Sequence, residues 1–315
     1  MAFEDRETLE SASGAAIALR RQPAEGGEKG LFILSHGLAE HSLRYAPLAR
    51  LLAARGYTVY GFDHRGHGFT TADDAPRGRF ARRDGEGKLM TDLAAVRDRA
   101  LAEHPGLPVI LFGHSMGGII AARAAECEPG AYAGLCIWNS HLDPGLAGRL
   151  GLLLLKAERF FKGSDVPSRF GPALTLDSWA RSVENPETPF DWLSRDRNEV
   201  ACYIADPLCG FDCSVSLWID LIGMALAAGR TASLARLPPD LPINIVGGGR
   251  DPATDEGRAM TWLAGRLRRL DITKVHLTIY PDMRHETLNE IGRGQAMDML
   301  ADWADAVVSG QGATR

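Results

Sequence analysis

Short apolar runs rich in β-branched residues alternate, in the first and last thirds of the chain, with longer segments whose apolar positions recur every three or four residues. Runs of four to six apolar residues fit strands buried on both faces, and three-four spacing fits amphipathic helices packed over them. Strands are predicted at Ile17–Arg20, Leu31–Ser35, Thr58–Phe62, Val109–Phe112, Leu135–Trp138, Ile243–Val246 and Val275–Tyr280. Helices are predicted at Leu43–Arg55, Leu89–Glu103, Met116–Glu126, Glu256–Leu270 and Gln295–Val308. This alternation predicts an α/β fold, a mostly parallel sheet covered by helices on both faces.

Between Leu142 and Pro239 the alternation stops, and amphipathic helical patterns, prolines and Trp179, Trp192 and Trp218 take its place. The expected organisation is a core in two parts, 1–141 and 241–315, with a helical cap inserted at 142–240. Pro238-Pro239 ends the insertion, since paired prolines impose an extended chain. Ala24–Lys29 reads as a hairpin-type loop and Gln311–Arg315 as a loose tail.

A chain of 315 residues that is 45% hydrophobic can bury a sizeable core. Its net charge of -5 and scattered arginines offer no broad attraction to a phosphate backbone, so no nucleic-acid partner is expected. Five cysteines form no disulfide framework, and Cys202, Cys209 and Cys213 lack the paired spacing of a zinc site; they read as buried free thiols. Met1–Arg20 lacks the apolar core of a signal peptide or anchor, which makes the cytoplasm the expected location. The longest apolar run, Leu146–Phe161, is interrupted by Arg149, Lys156, Glu158 and Arg159 and is too short to span a bilayer.

Gly113-His114-Ser115-Met116-Gly117-Gly118 joins a predicted strand to a predicted helix. A serine between glycines on such a turn has its hydroxyl pushed out above the sheet, within reach of a base and a substrate carbonyl. A side chain at Gly113 or Gly117 would collide with the neighbouring strand and helix. Gly-x-Ser-x-Gly alone also arises as an ordinary glycine turn, and it is the strand–helix context that makes Ser115 the candidate nucleophile.

A serine hydroxyl is a weak nucleophile at neutral pH, so it needs a base, and the base needs a carboxylate to fix its tautomer. Of nine histidines, His285 directly follows the last strand, on the sheet edge where open α/β folds bind ligands. His104 and His276 read as structural, and His114 as packed beside the nucleophile. Asp251, after a strand ending in Gly247-Gly248-Gly249, is the candidate acid and gives the chain order Ser, Asp, His. Asp143 is the second choice, while Asp255 and Asp282 read as a helix first-turn charge and a turn residue. Oxyanion donors are expected at the backbone N–H of Met116, after the nucleophile, and of Leu38, in the loop after Leu31–Ser35.

Ser35-His36-Gly37-Leu38-Ala39-Glu40-His41-Ser42 with Arg44-Tyr45, Phe62-Asp63-His64-Arg65-Gly66-His67-Gly68, Gly113–Gly118, and Arg284-His285-Glu286 with Leu288-Asn289-Glu290 resemble the monoacylglycerol lipase and lysophospholipase branch of the α/β-hydrolases. The resemblance implies Ser115, Asp251 and His285 as a triad, with Leu38 and Met116 at the oxyanion. Asn185-Pro186 through Asp196, and Asp206-Pro207-Leu208-Cys209-Gly210-Phe211, resemble caps of bacterial members. Two stretches depart from the pattern, the basic Arg77–Lys88 and Asn139-Ser140-His141, and either would reshape the pocket mouth. Asp63–Gly68 suggests a metal site, yet successive turn residues point apart, so the segment reads as a polar brace for the oxyanion loop.

The expected function is a serine carboxylic ester hydrolase for monoacyl lipids, with an acyl-enzyme intermediate and neither cofactor nor metal. Hydrolysis of a short ester, thioester, peptide or carbon–carbon bond on the same fold is the alternative, and a non-catalytic ligand-binding relative is another. Leu146–Leu155 is suited to lining an acyl tunnel or to core packing, and with an exposed apolar face it would touch micelles or membranes transiently.

Overall fold

The computed structural model describes residues 2–310. Among these, nine strands form one sheet: β1 (Glu7–Glu10), β2 (Ala15–Gln22), β3 (Gly30–Ser35), β4 (Tyr57–Phe62), β5 (Thr71–Ala72), β6 (Val109–His114), β7 (Gly134–Trp138), β8 (Ile243–Gly248) and β9 (Val275–Tyr280). Their order is β1-β2-β4-β3-β6-β7-β8-β9, with β5 beside β2. From β4 to β9 every neighbour is parallel, while β2 pairs antiparallel with β1, β4 and β5. Because β4 lies between β2 and β3, Ala24–Lys29 is a crossing loop and not the expected hairpin. The unpredicted β1 and β5 are short edge strands, too brief for a hydrophobic pattern to mark. Gln311–Arg315 lies outside the described residues.

Eleven helices occur among the described residues: α1 (Ala46–Ala54), α2 (Gly85–Glu103), α3 (Met116–Cys127), α4 (Gly145–Lys162), α5 (Phe170–Leu174), α6 (Leu176–Ser182), α7 (Arg197–Ala205), α8 (Val215–Ala228), α9 (Thr231–Leu234), α10 (Arg258–Arg268) and α11 (Arg293–Val308). Strand residues alternate between two buried layers, as period-two geometry requires. Ile33, Leu111, Ile137 and Ile245 pack under α2, α3 and α10, whereas Phe32, Phe112, Trp138 and Val246 pack under α1 and α11. The helix expected from Leu43 starts as a 3-10 turn at Ser42–Tyr45, with Pro47 in the first turn of α1. The one expected from Glu256 starts at Arg258, because Asp255 and Glu256 are left-handed, with φ of 55° and 56°.

Between β7 and β8 lie six helices, α4–α9. In Arg77–Lys88, Gly78 O accepts from Ser214 N (2.8 Å), and Arg77 donates to Pro207 O, so this basic stretch is a seam with the helical segment. The five cysteines are free, but only Cys136 and Cys213 are buried; Cys127 and Cys202 are exposed, contrary to expectation.

Arg65, fully buried after β4, donates from Nε to Asp92 of α2 at 2.8 Å, and to Phe80 O and Ser13 Oγ. Removing one member of such a pair strands the other charge in the interior. Asp92→Ala is expected to cost about 3–5 kcal/mol, read as a lowered urea midpoint.

Candidate active site

Ser115 sits between β6 and α3 with φ 54° and ψ −119°, a backbone conformation rare for a residue with a side chain. Both predicted glycine constraints are visible. A Cβ on Gly113 would lie 2.2 Å from Gly117 O in α3, and one on Gly117 would lie 2.0 Å from Ser35 O in β3. Helix and strand therefore approach too closely for any side chain at either position.

Three strand ends bring Ser115, His285 and Asp251 together. Ser115 Oγ and His285 Nε2 are 2.9 Å apart, and His285 Nδ1 lies 3.0 Å from both carboxylate oxygens of Asp251. Asp251 is fully buried and also accepts from Ala253 N (2.9 Å), Thr254 Oγ1 (2.8 Å) and Asn139 Nδ2 (3.1 Å). Burial pushes its carboxyl up, but His285 and these donors outweigh that and hold it below the usual carboxylate range. A charged Asp251 keeps the imidazole proton on Nδ1 and leaves Nε2 free to accept from Ser115. Asp143, the second choice, does not join them: its N–H donates to Ala225 O and its carboxylate accepts from Gly145 N, closing a turn. Asp255 and Asp282 pair with Arg258 and Arg250.

Sequence reasoning gave no role to the groups that hold this arrangement. Glu40 Oε1 accepts from Gly37 N (2.5 Å) and Tyr45 OH (2.8 Å), curling the loop that carries Leu38. Arg44 joins Glu40 (2.6 Å) to both oxygens of Glu286 (2.5 and 2.6 Å), beside His285. Burial pushes the Glu40 carboxyl up, and Arg44 more than offsets it, holding it well below its ordinary value. His114 is packed as expected, its Nε2 3.0 Å from His285 O. Asn139, flagged only as a departure at the pocket mouth, is buried with φ 48° and bridges Asp251 to Thr287. Its partner Asp251 lies 112 residues along the chain, so no local pattern marks the contact.

Asp63 accepts from Ser42 N, Ser42 Oγ and Phe69 N, while His64 N donates to His36 Nε2 (2.9 Å), so Asp63–Gly68 is a polar support beneath the Leu38 loop. Burial drives His36 and His64 down and His67 to about 3, which keeps the three rings neutral. Among the described residues, one trio of metal-type donors converges, His41, Asp206 and Cys209. It fits a metal poorly: His41 Nε2 already bonds Asp206 Oδ2 (2.8 Å), and burial pushes the Cys209 thiol up, away from the thiolate a metal needs.

Ser115 opens into a cavity of about 610 Å³ between the C-terminal sheet edge and the helical segment, lined mostly by apolar side chains such as Ile119, Trp179, Trp192 and Trp218. Leu38 and Met116 line it, and among the described residues neither backbone N–H has a protein acceptor. From α4 only Ala147, Gly148 and Gly151 reach the cavity. Of the leucines expected there, Leu155 is buried elsewhere in the core and Leu146, Leu150, Leu153 and Leu154 face outward.

Residues 26–292 match the family described as serine aminopeptidase, S33. The monoacylglycerol lipase of Mycolicibacterium smegmatis is 28% identical over 278 residues, spanning 87% of this chain and 88% of that protein. The monoglyceride lipase of Homo sapiens is 31% identical over 239 residues, spanning 75% and 71%. A thermostable carboxyl esterase from Bacillus coagulans superposes with a TM-score of 0.89 at 24% identity, covering 98% of this chain and 99% of that one. The fold is that of the α/β-hydrolases, as the strand order and the serine turn between β6 and α3 indicate. Within them the chain belongs to the serine aminopeptidase S33 family, in its monoacylglycerol lipase-like branch, and is a serine hydrolase.

A carboxylate depressed in the folded state contributes stability that is present above its unfolded value, about 4.3, and lost as pH falls through the folded value. Glu40→Gln is expected to lower stability by about 3 kcal/mol at pH 7. The gap in urea midpoint between wild type and Glu40→Gln should then narrow as pH drops below about 4.

Proposed function

We propose that this chain hydrolyses carboxylic esters of monoacyl lipids, monoacylglycerols foremost, with residues 142–240 as the cap over the site. The observation that carries the reading is the hydrogen-bonded chain Ser115–His285–Asp251 opening into an apolar cavity whose lining, among the described residues, includes no lysine or arginine. An acyl chain is stabilised there by burial, and an uncharged glycerol needs no counter-ion, whereas a phosphate would find no lysine or arginine to pair with. The similarity to two monoacylglycerol lipases supports the same substrate class.

In this mechanism Ser115 Oγ attacks the ester carbonyl while His285 Nε2 takes its proton, and Asp251 stabilises the imidazolium. The N–H groups of Leu38 and Met116 receive the oxyanion, each worth about 10²- to 10³-fold in rate. His285 returns the proton to the departing alcohol, and a water deprotonated by the same nitrogen releases the fatty acid.

The outer face of α4 exposes Leu146 (71%), Leu153 (64%), Phe160 (84%) and Phe161 (81%). Arg149, Lys156, Arg159 and Lys162 lie along the same helix, which supports transient contact with micelles or anionic membranes. No helix among the described residues is long and apolar enough to cross a membrane, and five free cysteines favour a cytoplasmic enzyme.

The test is initial rates on p-nitrophenyl esters of two to sixteen carbons, monoacylglycerol and lysophosphatidylcholine. Medium or long chains and monoacylglycerol should be preferred, and Ser115→Ala should lose at least about 10⁴-fold in kcat. Wild-type turnover in Ser115→Ala would overturn the nucleophile; faster hydrolysis of lysophosphatidylcholine would overturn the neutral head group; activity on two-carbon esters alone would move the substrate to a small ester.

A further inference from the structure

Residues 191–195 of the helical segment are bonded along the loop that carries His285. The N–H of His285 donates to Trp192 O (3.4 Å) and that of Glu286 to Leu193 O (2.7 Å). Arg284 Nη1 donates to Asp191 O (2.6 Å) and Ser194 O (3.2 Å), Ser194 Oγ donates to Asn289 O (2.8 Å), and Arg195 N donates to Glu290 Oε1 (3.0 Å). A junction held at so many points does not swing away with substrate, so Trp192 is a fixed neighbour of the base.

The buried Trp192 ring lies 4.9 Å from the His285 ring, centroid to centroid, at 48°. Trp179 lies near-parallel to His285 at 6.2 Å and 27°, and 5.0 Å from Trp192. Against a neutral imidazole these faces supply packing alone. Once Ser115 has given up its proton the ring is a cation, and an indole face carries negative π density that attracts it in a cavity lined mostly by apolar side chains. That attraction exists only after proton transfer, so it lowers the barrier instead of tightening substrate binding.

We infer that Trp192, backed by Trp179, stabilises the cationic form of His285, so that the helical segment supplies part of the base's environment besides the acyl cavity. The inference rests on the proposed role of His285 as general base. Trp192 acts through His285 and is a positioning residue. The other groups around the ring stay unchanged in a Trp192 variant: Asp251 at Nδ1, His114 at 5.0 Å with Glu40 behind it, Glu286 held by Arg44, Arg284 bonded to carbonyls, and Asp177, His141 and Asp255 on the cavity wall.

The decisive measurement is the pH profile of kcat/KM on one p-nitrophenyl ester for the wild type, Trp192→Leu, Trp192→Phe and the enzyme grown with 5-fluorotryptophan. His285→Ala is measured first: full activity there would remove the parent reading, and its loss isolates the tryptophan question. Removing the aromatic face lets the cation shed its proton more readily, so the acid limb should move down. Trp192→Leu should lose about 3- to 30-fold in kcat/KM, with the limb roughly 0.5–1.5 pH units lower. Trp192→Phe should recover at least half of that shift. Fluorotryptophan, which keeps every ring's shape while draining its π face, should move the limb the same way by a smaller amount. A limb that stays or rises in folded Trp192→Leu, or in the fluorinated enzyme, overturns the inference. Should Trp192→Leu not fold, the fluorinated enzyme decides alone.

Discussion

The guanidinium of Arg44 holds two buried carboxylates from different loops, Glu40, four residues before it, and Glu286, 242 residues after it. Glu40 in turn grips Gly37 N, and Glu286 is the neighbour of His285. One cation thereby sets the spacing between the loop carrying Leu38 and the loop carrying His285. Isolated buried ion pairs contribute little net stability, because desolvation consumes the Coulomb gain. Their value here is registry: Glu40 and Glu286, left without Arg44, would be uncompensated in an apolar interior, so the two loops have one low-energy arrangement.

The sheet supplies the other fixed points. Parallel strands end together, and registers such as Ser35 opposite Gly113 and His114 opposite Trp138 deliver Ser115, the Leu38 loop and Asn139 to one edge. Two constraints act on that edge. Backbone contact between α3 and β3 forces the serine into its left-handed turn, and burial makes every polar group there depend on a partner. Asn139, Thr254 and the Ala253 N–H meet the need of Asp251, and His36 and His64 meet that of the Ser35–Gly37 turn.

Much of this was legible in the residues alone. Seven strands and the major helices of the core were marked by apolar periodicity, and the serine turn by its glycines. His285 and Asp251 were placed by their position after strands. The misses have physical causes. β1 and β5 are edge strands with too few buried positions to pattern. The leucines of α4 carry a helical period, but period says nothing about which neighbour, if any, a face meets; most turned outward. The Asp191–Arg195 stretch was visible as a motif, yet its bonds to the loop of His285 join residues some 90 positions apart and leave no local trace.

The sequence by itself determined the α/β layering, the sharp turn at Ser115 and the identities of the three residues that meet there, because backbone sterics and hydrophobic period are local properties. Only the tertiary structure decided that Arg44 joins Glu40 to Glu286, that Asn139 serves Asp251, and that Trp192 lies against His285. Each of these is a contact between distant segments whose geometry follows from strand order and register, and the energy of such a contact is defined only once burial has removed the water that would otherwise satisfy both partners.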